Sequence, residues 1–384
     1  MISPLLTPFQ CCFSLGRHAH LGTGIWVYAR SIAEAFLISE IPESIHLTVL
    51  TSGPEEFYST LNESFKNSAN ERVSLLHHPS FSLSRRLGYL TDAFLSTSKY
   101  SLYHGAANTL PFFCKARSVV TVHDLLQPFP PVEPESIYLR ARTLYYRLYY
   151  RWLLHKADMI VTGHDQTKKL IQEHYTSNTK VKVLFPPLLS PYLQSPLSFP
   201  DTGDEQPKHL LAFASTDPRK NISCLLKSCS QTALPFHLTL VSNNHTTTRQ
   251  FKREVHALGL NEQVTLLTDI STKELINLYQ SCHAVIFPSL AEGFGYPAYE
   301  AISQGRAVLC SEGILVEDLR HLVGTAAIEC NPWSSESITE GIEKVLQLPL
   351  DSERMSSAAH EVRTLLDPRR YAQKLLELYQ EVIT

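Results

Sequence analysis

The sequence predicts an α/β protein of two doubly wound parallel-sheet domains, and three observations predict it. Short apolar runs alternate with longer stretches of helical spacing along nearly the whole chain, the pattern of parallel strands joined by crossover helices. At 384 residues the chain exceeds what one hydrophobic core usually serves, so about two domains are expected. A proline-rich stretch near the middle divides the alternation into halves.

In the first half, strands are expected at Ile45 to Leu50, Val73 to Leu76, Leu102 to His104, Ser118 to His123, Met159 to Thr162 and Val181 to Leu184. Helices fall between them at Gly24 to Leu37, Ile137 to His155 and Gln166 to His174. A strand ahead of the first helix belongs at Leu5 to Phe13, where Pro8 makes it read poorly. The run Pro186-Pro187-Leu188-Leu189-Ser190-Pro191, with Pro196, Pro200 and Pro207 following, denies both a helix and an inner strand. Strands resume at Leu210 to Ala214, Leu238 to Ser242, Val264 to Leu267, Ala284 to Pro288, Ala307 to Cys310 and Ala326 to Ile328. The expected division is therefore 1–190, a linker over 191–208, and 209–384, with a cleft between the domains. The last helix, 369–383, either closes the second domain or crosses back to brace the first.

Composition narrows the function. With 34 Lys and Arg against 37 Asp and Glu, net charge -3 and 43% hydrophobic residues, the chain forms a core and has no global reason to bind nucleic acid. Its eight cysteines are scattered with no Cys-x-x-Cys pair, as buried thiols in a reducing compartment would be. The start lacks a basic region, and no run approaches the about 18 apolar residues of a membrane span, so a cytoplasmic protein is expected. No Asp-x-Asp, Gly-x-Ser-x-Gly or phosphate-loop motif occurs, and the close histidine pairs His18/His20 and His77/His78 lack a third ligand. Metal-clamp, serine-nucleophile and P-loop chemistries are disfavoured.

Ligands of open parallel sheets bind beyond the carboxyl ends of the strands, and four such places stand out. The first runs from Phe287 to Glu300, where a buried strand turns through Gly293, Phe294 and Gly295 into a helix that begins near Pro297. Glu292 and Glu300 bracket the turn and can accept from sugar hydroxyls; the plainer account is a helix-entry turn with two solvated glutamates. In the second, Asp217 and Pro218 cap a helix start that carries Arg219 and Lys220, against the helix dipole. A pyrophosphate would relieve that, although solvated basic residues are common in a first turn. The third, Gly22-Thr23-Gly24, precedes the first long helix and is by itself a plain turn. The fourth is His123, which ends a strongly apolar strand and could donate to a hydroxyl or phosphate, or simply cap the strand; His104 is a weaker candidate of the same kind.

One further stretch, Tyr138 to Trp152, mixes tyrosines and arginines with no acidic residue. On a helix it could lie against an anionic membrane surface. A long domain helix with packed tyrosines and snorkelling arginines is the plainer account.

Taken together, these motifs resemble the retaining GT-B glycosyltransferases of group 1, those of lipopolysaccharide and exopolysaccharide assembly, over about Leu21 to the C-terminus. The most specific element is the Glu-x7-Glu signature from Glu292 to Glu300; Pro-Arg-Lys-Asn and Thr-Val-His-Asp look like the mannosyltransferase-like branch, which points to GDP-mannose as donor. The resemblance implies that Arg219 and Lys220 hold the donor diphosphate and that Glu292, with the amides of Gly293, Phe294 and Gly295, contacts the donor sugar. Glu300 would bind the ribose, His123 would sit by sugar and acceptor, and Gly22, Thr23 and Gly24 would approach from the first domain. It also implies front-face substitution with retention, domain closure, no metal or cofactor, and a saccharide or lipid-linked acceptor at the inner face of the plasma membrane.

Departures from the family pattern are visible. Ser215 stands where an arginine is usual, Trp26 and Val27 alter the first loop, and Tyr296 and Tyr299 replace common aliphatics beside the nucleotide pocket. Two alternatives stay open: a GT-B-fold sugar-nucleotide epimerase, which needs no acceptor, and a non-catalytic nucleotide-sugar-binding scaffold.

Overall fold

The structure, a computed structural model, describes residues 8–16, 24–51, 55–68, 70–77, 95–134, 136–175, 179–199, 207–242, 244–349 and 352–384. The chain forms two units, Met1–Leu189 with Leu366–Thr384, and Ser190–Leu365.

The first unit alternates β1 (Phe9–Ser14), α1 (Gly24–Ile38), β2 (Ile45–Thr51), α2 (Glu55–Lys66), β3 (Val73–His77), β4 (Leu102–Gly105), β5 (Arg117–Val122), α3 (Ile137–Lys156), β6 (Met159–Thr162), α4 (Asp165–His174) and β7 (Lys180–Val183). Its strands pair in parallel in the order β3-β2-β1-β4-β5-β6-β7. Runs such as Val119, Val120 and Val122 are fully buried because helices cover both faces of such a sheet. β1, which reads poorly in sequence, is a central strand. Pro8 lies one residue before it and removes no ladder hydrogen bond, and Phe9 N–H donates to Ser44 O at 2.7 Å. At the end of β4, a side chain on Gly105 would drive its Cβ to 1.7 Å from Thr109 O, so only glycine fits.

The second unit holds α5 (Ser190–Gln194), β8 (Lys208–Ala214), α6 (Ile222–Gln231), β9 (Phe236–Ser242), α7 (His245–Ala257), β10 (Val264–Thr268), α8 (Thr272–Ser281), β11 (Ala284–Phe287), α9 (Tyr296–Ser303), β12 (Ala307–Ser311), α10 (Glu317–Val323), β13 (Ala327–Cys330), α11 (Ser335–Gln347) and α12 (Ser352–Leu365). The order β10-β9-β8-β11-β12-β13, again parallel, repeats the winding of the first sheet. Strand order reverses between β1 and β4 in one unit and between β8 and β11 in the other, the switch points where such sheets take ligands.

The boundaries differ from the expected ones. Residues 191–199 are packed into the second unit: Pro191 sits in the first turn of α5, where its missing N–H costs nothing. Ser195 Oγ donates to Gln304 Oε1 at 2.7 Å, and Gln280 Nε2 donates to Pro196 O at 2.9 Å. Residues 200–206 of the expected linker lie outside the described residues. The second unit ends at Leu365, because α13 (Pro368–Ile383) belongs to the first, the crossing-back one of the two expected alternatives. Asp367 caps α13 by accepting from Arg369 N–H, and Tyr371, Leu375 and Tyr379 bury its inner face.

All eight cysteines are free, and six of them are buried. Among the described residues no helix is long and apolar enough to cross a membrane.

Candidate functional site

At the second switch point the loops that leave β8 and β11 are laced together. Asp217 accepts from Arg219 N–H at 3.0 Å and starts a single 3-10 turn, Pro218–Lys220. Asn221 then adopts a left-handed backbone, φ 59°, before α6 begins. The two cations therefore precede the long helix instead of occupying its first turn, a correction to the sequence reading. Asparagine tolerates that conformation better than most residues. Its side chain is also used: Nδ2 donates to Pro288 O at 3.1 Å and to Pro332 O at 2.7 Å. Leu290 N–H donates to Arg219 O at 2.7 Å across the same seam.

Glu292 is the centre of this arrangement. Its carboxylate accepts from Lys220 Nζ at 2.6 Å and from Arg219 Nη1 at 3.2 Å, while Arg219 Nε donates to Asp217 Oδ2 at 3.0 Å. The side chain of Glu292 is only 9% exposed, so these are partly desolvated, charge-assisted bonds. Lys220 Nζ also stands 5.2 Å over the ring of Phe287, the last residue of β11. Sequence brings Glu292 and the cation pair into view separately; the fold makes them one group.

The glycine turn does two jobs. Gly295 has φ 84° and its missing Cβ would touch Ile314 Cγ2 at 3.0 Å, so it caps α9 in a conformation glycine alone takes without strain. Phe294 stacks on Tyr299 at 4.5 Å and is buried, which anchors the turn from inside. Among the described residues the amides of Gly293, Phe294 and Gly295 donate to no backbone carbonyl. Tyr299 lies in the core, its hydroxyl accepting from Val316 N–H at 2.8 Å.

Glu300 is buried, not solvated. Tyr279 donates its hydroxyl proton to Glu300 Oε2 at 2.7 Å, and Tyr192 supplies a second hydroxyl. Burial pushes the Glu300 carboxyl up to about 7, against the opposing effect of those two bonds. Tyr192 comes from α5, inside the stretch expected to be linker, and nothing local in the sequence signals its role.

In the first unit His123 follows β5 directly. Its Nε2 faces Ala106 O at 2.8 Å, which fixes the proton on that nitrogen, and its backbone N–H donates to Asn108 Oδ1 at 3.1 Å. Tyr28 packs edge-on against the ring at 4.5 Å. Burial lowers the imidazole below its ordinary value, opposed by the Ala106 carbonyl and Asp124. Neutral His123 therefore offers a hydroxyl an acceptor at Nδ1, where the sequence reading expected a donor. His104 is a core residue: Nδ1 bonds Tyr379 Oη at 2.7 Å, Nε2 bonds Thr121 Oγ1 at 2.8 Å, and burial holds it near 3. Gly24 opens α1 with nothing within 4 Å of a Cβ built on it; Gly22, Thr23, His18, His20 and His78 lie outside the described residues. Among the described residues no three His, Cys, Asp or Glu side chains converge as a metal site requires.

Two repeated doubly wound units, with a cation–carboxylate cluster at the switch point of the second, define a class, the GT-B fold. Residues 197–362 match the model of glycosyl transferases group 1. It is similar to the O-antigen chain mannosyltransferase RfbU of Salmonella typhimurium, 25% identical over 244 residues, 63% of this chain and 64% of that protein. It is also similar to the serotype-specific mannosyltransferase WbdA of Escherichia coli, 32% identical over 162 residues, 40% of this chain and 18% of that protein. The chain thus aligns with less than two thirds of the length of these curated relatives. Among solved structures, sucrose-phosphate synthase from Thermosynechococcus elongatus shares the fold, with a TM-score of 0.76 at 17% identity over 97% of this chain and 99% of that one.

Proposed function

We propose that this chain is a retaining glycosyltransferase that moves a hexose, mannose from GDP-mannose, to a saccharide or lipid-linked acceptor in cell-surface polysaccharide synthesis. The observation that carries it is the meeting of Arg219, Lys220 and Glu292 at the carboxyl ends of β8 and β11. A nucleoside diphosphate bound there meets two cations that offset the charge gained as the sugar leaves, the main form of stabilisation available to such a reaction. Once phosphate oxygens take those cations, Glu292 is released to accept from sugar hydroxyls, and the amides of Gly293, Phe294 and Gly295 add donors. Glu300 serves the ribose. His123 serves the sugar and acceptor hydroxyls, and Gly22, Thr23 and Gly24 the phosphate or acceptor, from the first unit. In the transfer the anomeric carbon–oxygen bond breaks, the acceptor oxygen bonds the same face, and the acceptor proton passes to the departing phosphate oxygen. No metal takes part. The names of RfbU and WbdA support the mannosyl reading and a place in O-antigen synthesis; the work place is the cytoplasm, at the inner face of the membrane.

The test is thermal-shift binding of GDP, UDP and ADP and their sugar conjugates, with and without magnesium, followed by product stereochemistry. Stabilisation by GDP-mannose that magnesium leaves unchanged, and that Lys220→Ala weakens, is the expected result. Unchanged affinity in Lys220→Ala removes the diphosphate clamp. A second reading has its own support: Asp217, Arg219, Lys220 and Glu292 balance their charges within the chain, as a retained but non-catalytic binding cleft would. It predicts binding without turnover, and function unimpaired in Glu292→Ala.

A further inference from the structure

Two other helices of the second unit converge on the Glu300 carboxyl of α9. Tyr279 of α8 donates to its Oε2 at 2.7 Å, and Tyr192 of α5 donates to it as well. Both tyrosines are buried, and their rings meet edge-on at 5.9 Å. The short α5 is itself pinned: Gln304 Nε2 donates to Tyr192 O at 2.8 Å, and the Arg363 guanidinium donates to Leu193 O and Ser195 O. Burial and the adjacent carboxyl push both phenols well above their ordinary value, so each remains a hydrogen-bond donor.

Among the described residues no cation pairs with Glu300 from the elements packed on α9. β11 is apolar, β12 brings only Cys310, whose thiol burial pushes up to about 12, and α12 turns Met355, Ala358, Ala359 and Val362 inward. Arg363 of α12 commits its donors to Ser303 O and to the carbonyls of α5, and Cys282 at the end of α8 is raised by burial to about 12. Glu300 is thus held by neutral donors alone, and near pH 7 the free protein contains both its acid and its carboxylate. A carboxylate offers about four acceptor sites. The two phenols fill two of them, and a ribose presents two vicinal hydroxyls for the others. The acid has fewer sites, and its own proton needs an acceptor.

We infer that Tyr192 and Tyr279 are positioning residues that occupy two acceptor sites of Glu300 and leave the other two to the ribose hydroxyls of the donor nucleotide, and that nucleotide binding releases a proton from Glu300 to solvent. No bond to carbon changes; the O–H of the acid gives way to two hydrogen bonds accepted from ribose. The inference rests on the ribose role given to Glu300 above and adds the selection of its ionised form.

Calorimetric titration of the full chain with GDP across about pH 5 to 9 tests it. The control is 2′,3′-dideoxy-GDP, whose phosphates titrate alike but whose ribose carries neither hydroxyl. Between pH 8 and pH 6 the affinity for GDP is expected to fall about tenfold more than that for the control. Tyr279→Phe removes a donor to the charged form, so the inflection should move up by about one pH unit, with GDP binding about fivefold weaker at pH 7 and nearly unchanged at pH 9. Tyr192→Phe should shift it in the same direction, and in Glu300→Gln GDP and the control should respond to pH alike. Equal pH responses of GDP and control in the parent chain overturn the proposal. So does a Tyr279→Phe deficit of the same size at every pH, which a purely structural role would give. GDP that binds without the ribose-linked response leaves the diphosphate reading standing, whereas GDP that binds at no pH overturns both.

Discussion

Glu292 and Glu300 stand eight positions apart and meet opposite environments. Glu292 is matched by two cations; Glu300 is matched by two neutral hydroxyls. If Glu292 competes with a bound diphosphate for Arg219 and Lys220, removing its charge strengthens binding while it removes a contact to the sugar. Glu292→Gln should therefore bind GDP up to about tenfold more tightly by calorimetry, and its transfer rate should fall. Weaker GDP binding in that variant would argue against the competition. For Glu300 the folded state holds the proton more tightly than the unfolded chain does. Its stabilising share is whole below about pH 4.5 and is lost as pH rises through about 7, by about 3 kcal/mol at most. Urea unfolding across that window should show this decline in the parent chain and a flatter profile in Glu300→Gln.

At the scale of elements, α13 is joined to the first sheet by a buried polar chain. Tyr379 bonds His104, His104 bonds Thr121, Thr121 bonds Tyr28, and Tyr28 bonds Tyr371 at 2.9 Å. Burial keeps His104 neutral, so each ring nitrogen needs its one partner. Tyr379→Phe keeps the ring and leaves His104 Nδ1 unsatisfied. The expected cost is about 1–3 kcal/mol in denaturant unfolding. A loss below a few tenths of a kcal/mol would mean that water replaces the hydroxyl. The same chain passes through Tyr28, which packs on His123, so α13 backs the strand end that carries the candidate histidine. α5 plays a comparable part in the second unit, delivering Tyr192 to Glu300.

At the scale of the molecule, the second unit is one continuous segment and the first is assembled from two. A nucleoside diphosphate held by Arg219 and Lys220 should raise the unfolding temperature of the unit that contains them, by mass action. Calorimetry with GDP is expected to move one transition and leave the other in place. Movement of both together would show that the two units unfold as one. Truncation after Leu365 should lower only the transition that does not respond to GDP, because α13 is buried in the first unit.

The sequence by itself determined the α/β class, the double winding and most strands, because parallel strands buried on both faces are written as contiguous apolar runs. It also displayed the Pro-Arg-Lys-Asn and Glu-x7-Glu segments, since each is local to one strand–loop–helix turn. Tertiary structure alone decided what those segments meet. Glu292 finds its cations across a switch point over seventy residues back. Asn221 turns left-handed to seam the two loops, Tyr192 reaches Glu300 from a stretch whose prolines read as linker, and α13 joins the first unit. Each of these is a contact between residues distant in sequence, and neither periodicity nor composition encodes which distant surface a buried polar group or an apolar helix face will find.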